Sequence, residues 1–203
     1  CFDKTGTLTD DKLILKGISV PDEGSAEVES LIEPQSASDW THFSIAACNS
    51  LMFVDNELVG DPMEVAALKE MGWAPSKGDI MNRISGPKQK IRILHRFHFE
   101  SALKRMCTIA VTESNNPTHF ATMKGAPEMV MEFLSEVPPH YQETYKYFSR
   151  QGYRVISLAY KTFKSSSRST VSRMSREEIE TDLTFCGFLV FECPIKPDSP
   201  QTI

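Results

Sequence analysis

No stretch of this sequence approaches the ~20 consecutive apolar residues that a membrane-spanning helix requires. No GxxxxGK[ST] loop is present, which excludes a Walker-type phosphate cradle. The five cysteines, Cys1, Cys48, Cys107, Cys186 and Cys193, are scattered without zinc-ligand spacing, so reduced thiols are the expectation. A basic excess is also missing. The formal net charge is −5, which excludes the electrostatic footprint of a nucleic-acid binder and predicts no nucleic-acid partner. Internal repeats are absent. What remains is ordinary globular material: 203 residues, 40 % hydrophobic, enough for one large domain or slightly more.

Against these absences stands one dense local signal, Asp3-Lys4-Thr5-Gly6-Thr7-Leu8-Thr9. A carboxylate can attack a phosphate and carry the phosphoryl group covalently, dividing one hard step into two. Phosphoryl transfer is mostly positioning and charge neutralisation, so a metal ion must bridge the two approaching anions. Asp3 is the candidate nucleophile; Phe2 and the residues before it would end a buried strand, placing Asp3 at the strand's carboxyl end, where open α/β sheets take their ligands. Gly6 allows a tight turn that offers N–H groups to phosphate oxygens. Lys4 adds positive charge, and Thr5 and Thr7 add oxygens. The heptapeptide is similar to the phosphorylation sequence of P-type ATPases, membrane pumps that carry their own phosphate on an aspartate. That resemblance implies catalytic roles for Asp3, Lys4 and Thr5, with Asp3 and Thr5 also holding Mg2+. DKTGT resembles haloacid-dehalogenase-type phosphatases too, but there a second Asp usually stands two residues after the nucleophile as general acid and base. Thr5 cannot do that work, which favours an enzyme that stores its phosphoenzyme.

Periodicity and turn chemistry predict strands over 12–20, 91–99, 106–112, 118–123, 153–160 and 184–191. Helices are predicted over 39–50, 61–71, 126–134 and 139–150, with Asp61 capping the second and Pro62 at its first position. A short helix opens at Ser175, spaced from Glu178 as a capping box. Segments 21–38, 74–90 and 164–173 read as loops. The order is α+β: an antiparallel sheet flanked by helices. Residues 1–12 and 188–203 resemble two short pieces of a haloacid-dehalogenase-like α/β core, the phosphorylation domain. Residues 13–187 would be a nucleotide-binding domain inserted between them.

Four further segments resemble P-type ATPases, in that family's order. Gly60-Asp61-Pro62-Met63-Glu64 is similar to its acidic motif, which implies that Glu64 faces the adenine amino group. Phe99 to Met106 is similar to F-S-x-x-x-K-x-M, with Phe99 stacking on adenine and Lys104 beside base and phosphates. The usual Ser is Glu100 here. Phe97 sits two residues earlier on the same alternating face, so one of the two phenylalanines is a candidate for the core. Lys124-Gly125-Ala126-Pro127-Glu128 is the family's KGAPE motif. It implies a Lys124 point charge in the pocket and a close backbone approach at Gly125. Gly152-Tyr153-Arg154-Val155 is similar to the G-x-R-V segment, with the Arg154 fork reaching the triphosphate.

Where most ion pumps read D-P-P-R, this chain reads Cys193-Pro194-Ile195-Lys196. This resembles type V, subgroup A, the endoplasmic-reticulum P-type ATPases that extract misinserted transmembrane helices. The resemblance implies the cytosolic, ATP- and Mg2+-using part of an endoplasmic-reticulum membrane protein. Its partners would be the rest of the pump (phosphorylation, actuator and membrane domains) and, through the membrane part, a transmembrane-helix substrate. The chain alone is expected to bind nucleotide without turnover. Three readings stay open beside this one: a type V subgroup B lysosomal polyamine transporter, a soluble phosphatase with a large cap, and an interaction module without nucleotide binding.

Overall fold

The computed structural model describes residues 13–21, 28–54, 57–163 and 168–194. Strand β1 (Ile14–Ser19) leads through a 3-10 turn at Pro34–Ser36 into helix α1 (Asp39–Ala47), whose N-terminus is capped by Ser38. A small hairpin follows, β2 (Met52–Val54) and β3 (Glu57–Val59), and then helix α2 (Pro62–Glu70). The Asp61 side chain accepts the Met63 N–H at 2.8 Å, so the predicted cap and N1 proline are both in place.

Strands β4 (Trp73–Ser76), β5 (Ile80–Arg83), β6 (Lys90–Glu100), β7 (Arg105–Thr112) and β8 (His119–Gly125) run on as a meander. Helix α3 (Pro127–Val130) continues as one 3-10 turn, and α4 (Tyr141–Arg150) precedes β9 (Arg154–Phe163). Two one-turn helices, α5 (Arg168–Val171) and α6 (Arg176–Ile179), lead to β10 (Thr184–Glu192). The capping box of α6, Ser175 with Glu178, is complete.

Eight strands form one antiparallel sheet in the order β1-β10-β9-β8-β7-β6-β5-β4. The expected α+β architecture is therefore present. Period-two alternation divides the side chains between two cores. Ala110, Phe120, Leu158, Leu189 and Phe191 face α1 and α2. Ile109, Met123 and Ala159 face α3, α5 and α6, while Val155, Phe188 and Val190 face α4. Trp40 of α1 stacks on Tyr160 at 4.3 Å between centroids.

Several elements differ from the sequence expectation. Segment 74–90 is no loop: β4 and β5 form a hairpin on the sheet's edge. Pro75 in β4 masks the strand signal, and it is tolerated because β4 is the edge strand. The segment 164–173 contains α5, whose Val171 is fully buried. The expected helix over 126–134 keeps only one α-turn before tightening. The expected boundary at 187/188 falls inside β10, which runs unbroken to Glu192 in the sheet. β1 and β10 lie side by side, Ile14 opposite Glu192, with Lys16 and Glu192 bridged at 3.0 Å.

Candidate functional site

Four strands and two helices converge on one cavity of about 230 Å3, under the α1–α2 face of the sheet. Alternation supplies its strand residues. Lys124 of β8 is directly opposite Leu158 of β9, so Lys124, Leu158, Ile156 and Arg154 point the same way. The helices and their ends supply the wall: Ile45 from α1, Cys48 at its C-terminal cap, Asp61 and Glu64 around the start of α2. The lining is mostly apolar with a few polar groups among it, the usual make-up of a small-molecule site.

Glu64 is held at both oxygens. Its Oε1 accepts from the Lys124 ammonium, and its Oε2 accepts the Ser50 backbone N–H at 2.9 Å. The two side chains are only 9 % and 18 % exposed, so this ion pair is largely withdrawn from water. A carboxylate offers roughly four lone-pair sites, so Glu64 retains capacity for a further donor. Ser50 closes the turn after α1, where the Asn49 side chain caps Leu51 N–H at 3.2 Å. The Cys48 thiol is pushed up to about 12 chiefly by burial, which keeps it protonated and removes it as a nucleophile.

Phe99 is 56 % exposed although it is a large hydrophobe on a strand, and its ring lines the cavity. Phe97 packs instead into the core on the opposite face and touches His95 edge-on. A β-bulge explains the split. Phe97 pairs with Cys107 and Glu100 with Arg105, leaving His98 and Phe99 opposite Met106 alone. Strict alternation would have put both rings on one face.

Gly125 lines the cavity where β8 meets the β6–β7 turn. A Cβ there would stand 2.6 Å from the Lys104 carbonyl oxygen and 2.8 Å from the Arg105 Cβ. Lys104 itself does not line the cavity. It sits in the left-handed region at φ +50°, and its ammonium lies 3.6 Å from Glu128 at the surface. Arg154 stands exposed at the cavity's edge, opposite Phe191.

Five of the six expected nucleotide-site residues, Glu64, Phe99, Lys124, Gly125 and Arg154, thus border one cavity. Asp3, Lys4 and Thr5, the expected catalytic and Mg2+-binding group, lie outside the described residues, as does Lys196. Among the described residues no group of three or more His, Cys, Asp or Glu could hold a metal ion, and no helix is long and apolar enough to cross a membrane. The sequence reading missed the α1 end, Cys48 to Ser50. Its one signal was the Asn-Ser turn after the helix, because a backbone N–H donor leaves no mark in residue identity.

Residues 42–198 match the family described as P-type ATPase, cytoplasmic domain N. The chain is 42 % identical over its whole length to an endoplasmic reticulum transmembrane helix translocase of Saccharomyces cerevisiae, covering 16 % of that protein. It is equally 42 % identical to a probable manganese-transporting ATPase of Arabidopsis thaliana, covering 17 % of it. A third relative, the transmembrane helix translocase of Aspergillus fumigatus, is 40 % identical, with 18 % of its length covered. In each case the chain spans under a fifth of the relative. Sequence match and antiparallel fold agree, and this chain belongs to the P-type ATPases, as their cytoplasmic domain N.

Proposed function

We propose that this chain is the ATP-holding domain of a type V, subgroup A P-type ATPase of the endoplasmic-reticulum membrane. One observation carries the reading: an exposed phenylalanine, a carboxylate, a lysine and an arginine from four separate segments border one apolar cavity. In this reading the purine lies on Phe99 against the apolar lining. Glu64 accepts from the adenine amino group beside its bonds to Lys124 and Ser50. Guanine presents a carbonyl there, which a carboxylate repels. Arg154, exposed at the rim, meets the phosphates with its planar fork. Lys124 supplies positive charge close to the base, and Lys104 turns from Glu128 to help when an anion arrives.

The γ-phosphate would then pass to Asp3, with Mg2+ held by Asp3 and Thr5 and Lys4 neutralising charge. Residues 1–12 and those after β10 would belong to the phosphorylation domain. The adjacent, antiparallel β1 and β10 support this, because both connections leave the sheet at one end. Subgroup A is supported by the names of the Saccharomyces and Aspergillus relatives, and the substrate would be a transmembrane helix. Transport of a divalent cation by the whole pump is a second reading, favoured by the name of the Arabidopsis relative. Stimulation of the full-length ATPase by Mn2+ rather than by a transmembrane helix would select it.

Calorimetric titration with MgATP and MgGTP tests the nucleotide site. The expected result is millimolar or tighter ATP binding, about −4 kcal/mol or better, with GTP weaker. Phe99→Ala should remove about 1–3 kcal/mol of it. A folded chain that binds neither nucleotide would overturn the reading.

A further inference from the structure

Behind the sheet, on the face away from the cavity, lies a buried charged cluster that the nucleotide site does not use. Glu180, at the end of α6, has a side chain only 3 % exposed. Its Oε2 accepts from Arg105 at 2.9 Å (Nε) and 2.7 Å (Nη2). Its Oε1 accepts from the Cys107 thiol at 2.9 Å and from Arg176 Nε at 2.8 Å. The Arg105 guanidinium also lies over the Phe133 ring at 4.4 Å. A buried carboxylate with this many donors is costly to assemble and weak evidence for stability alone; such clusters are more readily explained by what they hold in register.

What this one holds is the β6–β7 hairpin. From the first turn of α6, Arg176 bonds the Glu100 carboxylate through Nη1. Its Nη2 reaches the Arg105 carbonyl at 3.2 Å and the His98 carbonyl at 3.5 Å. His98 and Glu100 are the two neighbours of Phe99. The three residues span the bulge, where the strand ladder leaves His98 and Phe99 without separate partners. Arg176 therefore grips the backbone and side chain on either side of the one residue whose facing the bulge decides. The grip also explains why Glu100 can stand where a serine is usual: its charge is drawn to Arg176, away from the cavity. The far end of the clamp is rigid, because α6 is capped by its box and anchored by fully buried Ile179.

We propose that Arg176 and Glu180 are positioning residues for nucleotide binding: through Glu100 and the His98 carbonyl they set the bulge that turns Phe99 into the cavity. The proposal rests on reading that cavity as the nucleotide site. It assigns a role in adenine affinity to a helix on the opposite side of the sheet.

The test is a double-mutant cycle on MgATP affinity by calorimetry, with thermal unfolding recorded for every variant. Glu100→Ala, at an exposed position, removes the clamp's outer contact with little threat to folding; Arg176→Ala removes the clamp itself. Each is expected to weaken ATP binding by at least about threefold, and to cost less than about twofold in a Phe99→Ala background. Arg176→Lys keeps the charge but not the fork, and should recover only part of the loss. Unchanged ATP affinity in both single variants, or an equal loss with and without Phe99, would overturn the proposal while leaving the nucleotide site intact. If Phe99→Ala itself binds ATP like the unaltered chain, the nucleotide reading fails and the positioning role with it.

Discussion

At the scale of single residues, the cavity depends on a carboxylate whose two oxygens serve different purposes. Glu64 restrains Lys124 and is itself oriented by the Ser50 N–H. Glu64→Gln keeps the shape and removes the charge. The expected outcome is a smaller ratio of ATP to GTP affinity in parallel titrations. Stability should fall by about 1–3 kcal/mol in denaturant unfolding, because Lys124 loses its charged partner in a mostly buried setting. The types and order of these residues were legible in the sequence, since each motif's chemistry is carried by its own letters. Lys104 shows the limit: its letter fits the motif, but a left-handed turn sends its ammonium to Glu128 outside the cavity. Phe99 shows a second limit. A bulge is a count of residues between two strands, and one strand's sequence does not contain it.

At the scale of elements, the site is built where helix starts and strand ends meet. Asp61 caps α2 and thereby fixes the first turn that carries Glu64, so Asp61→Ala should cost about 1 kcal/mol of stability. ATP affinity should weaken as that turn frays, which calorimetry on the same protein would reveal. Gly125→Ala tests the joint between β8 and the β6–β7 turn. The added methyl meets backbone at 2.6 Å, so neither strand can yield cheaply. A loss of about 1–3 kcal/mol is expected in chemical unfolding. Helix α2 was legible because cap, N1 proline and periodicity agree in its sequence. The β4–β5 hairpin was not. Its strands are four residues each, one contains a proline, and their apolar contacts, such as Trp73 and Met81, come from α1 and α2 across the core.

At the scale of the whole molecule, two buried groups on opposite faces tie stability to pH. Burial, reinforced by Arg83, holds His42 below its ordinary value and keeps it neutral between Trp73 and Arg83. The unfolded chain takes up that proton first, so stability falls as pH drops below about 6.5. Burial pushes the Glu180 carboxyl upward, but the hydrogen bonds from Arg105, Cys107 and Arg176 outweigh it and hold it below the ordinary glutamate range. Its contribution is present above about pH 4.3 and is lost as pH falls through the depressed value. Melting temperature should therefore decline in two stages on acidification. His42→Gln should flatten the first stage and Glu180→Gln the second; a pH series of thermal melts that keeps both stages in both variants would contradict this. By itself the sequence determined the membership of the family, the α+β class, the caps of α2 and α6 and the residue types around the cavity, because motif spacing and periodicity are local properties of the chain. Only the tertiary structure decided which of two phenylalanines faces the cavity, where Lys104 points, and that α6 reaches across to the β6–β7 hairpin. Those outcomes depend on strand register and on contacts between residues as far apart as Arg105 and Glu180, where packing overrides local preference.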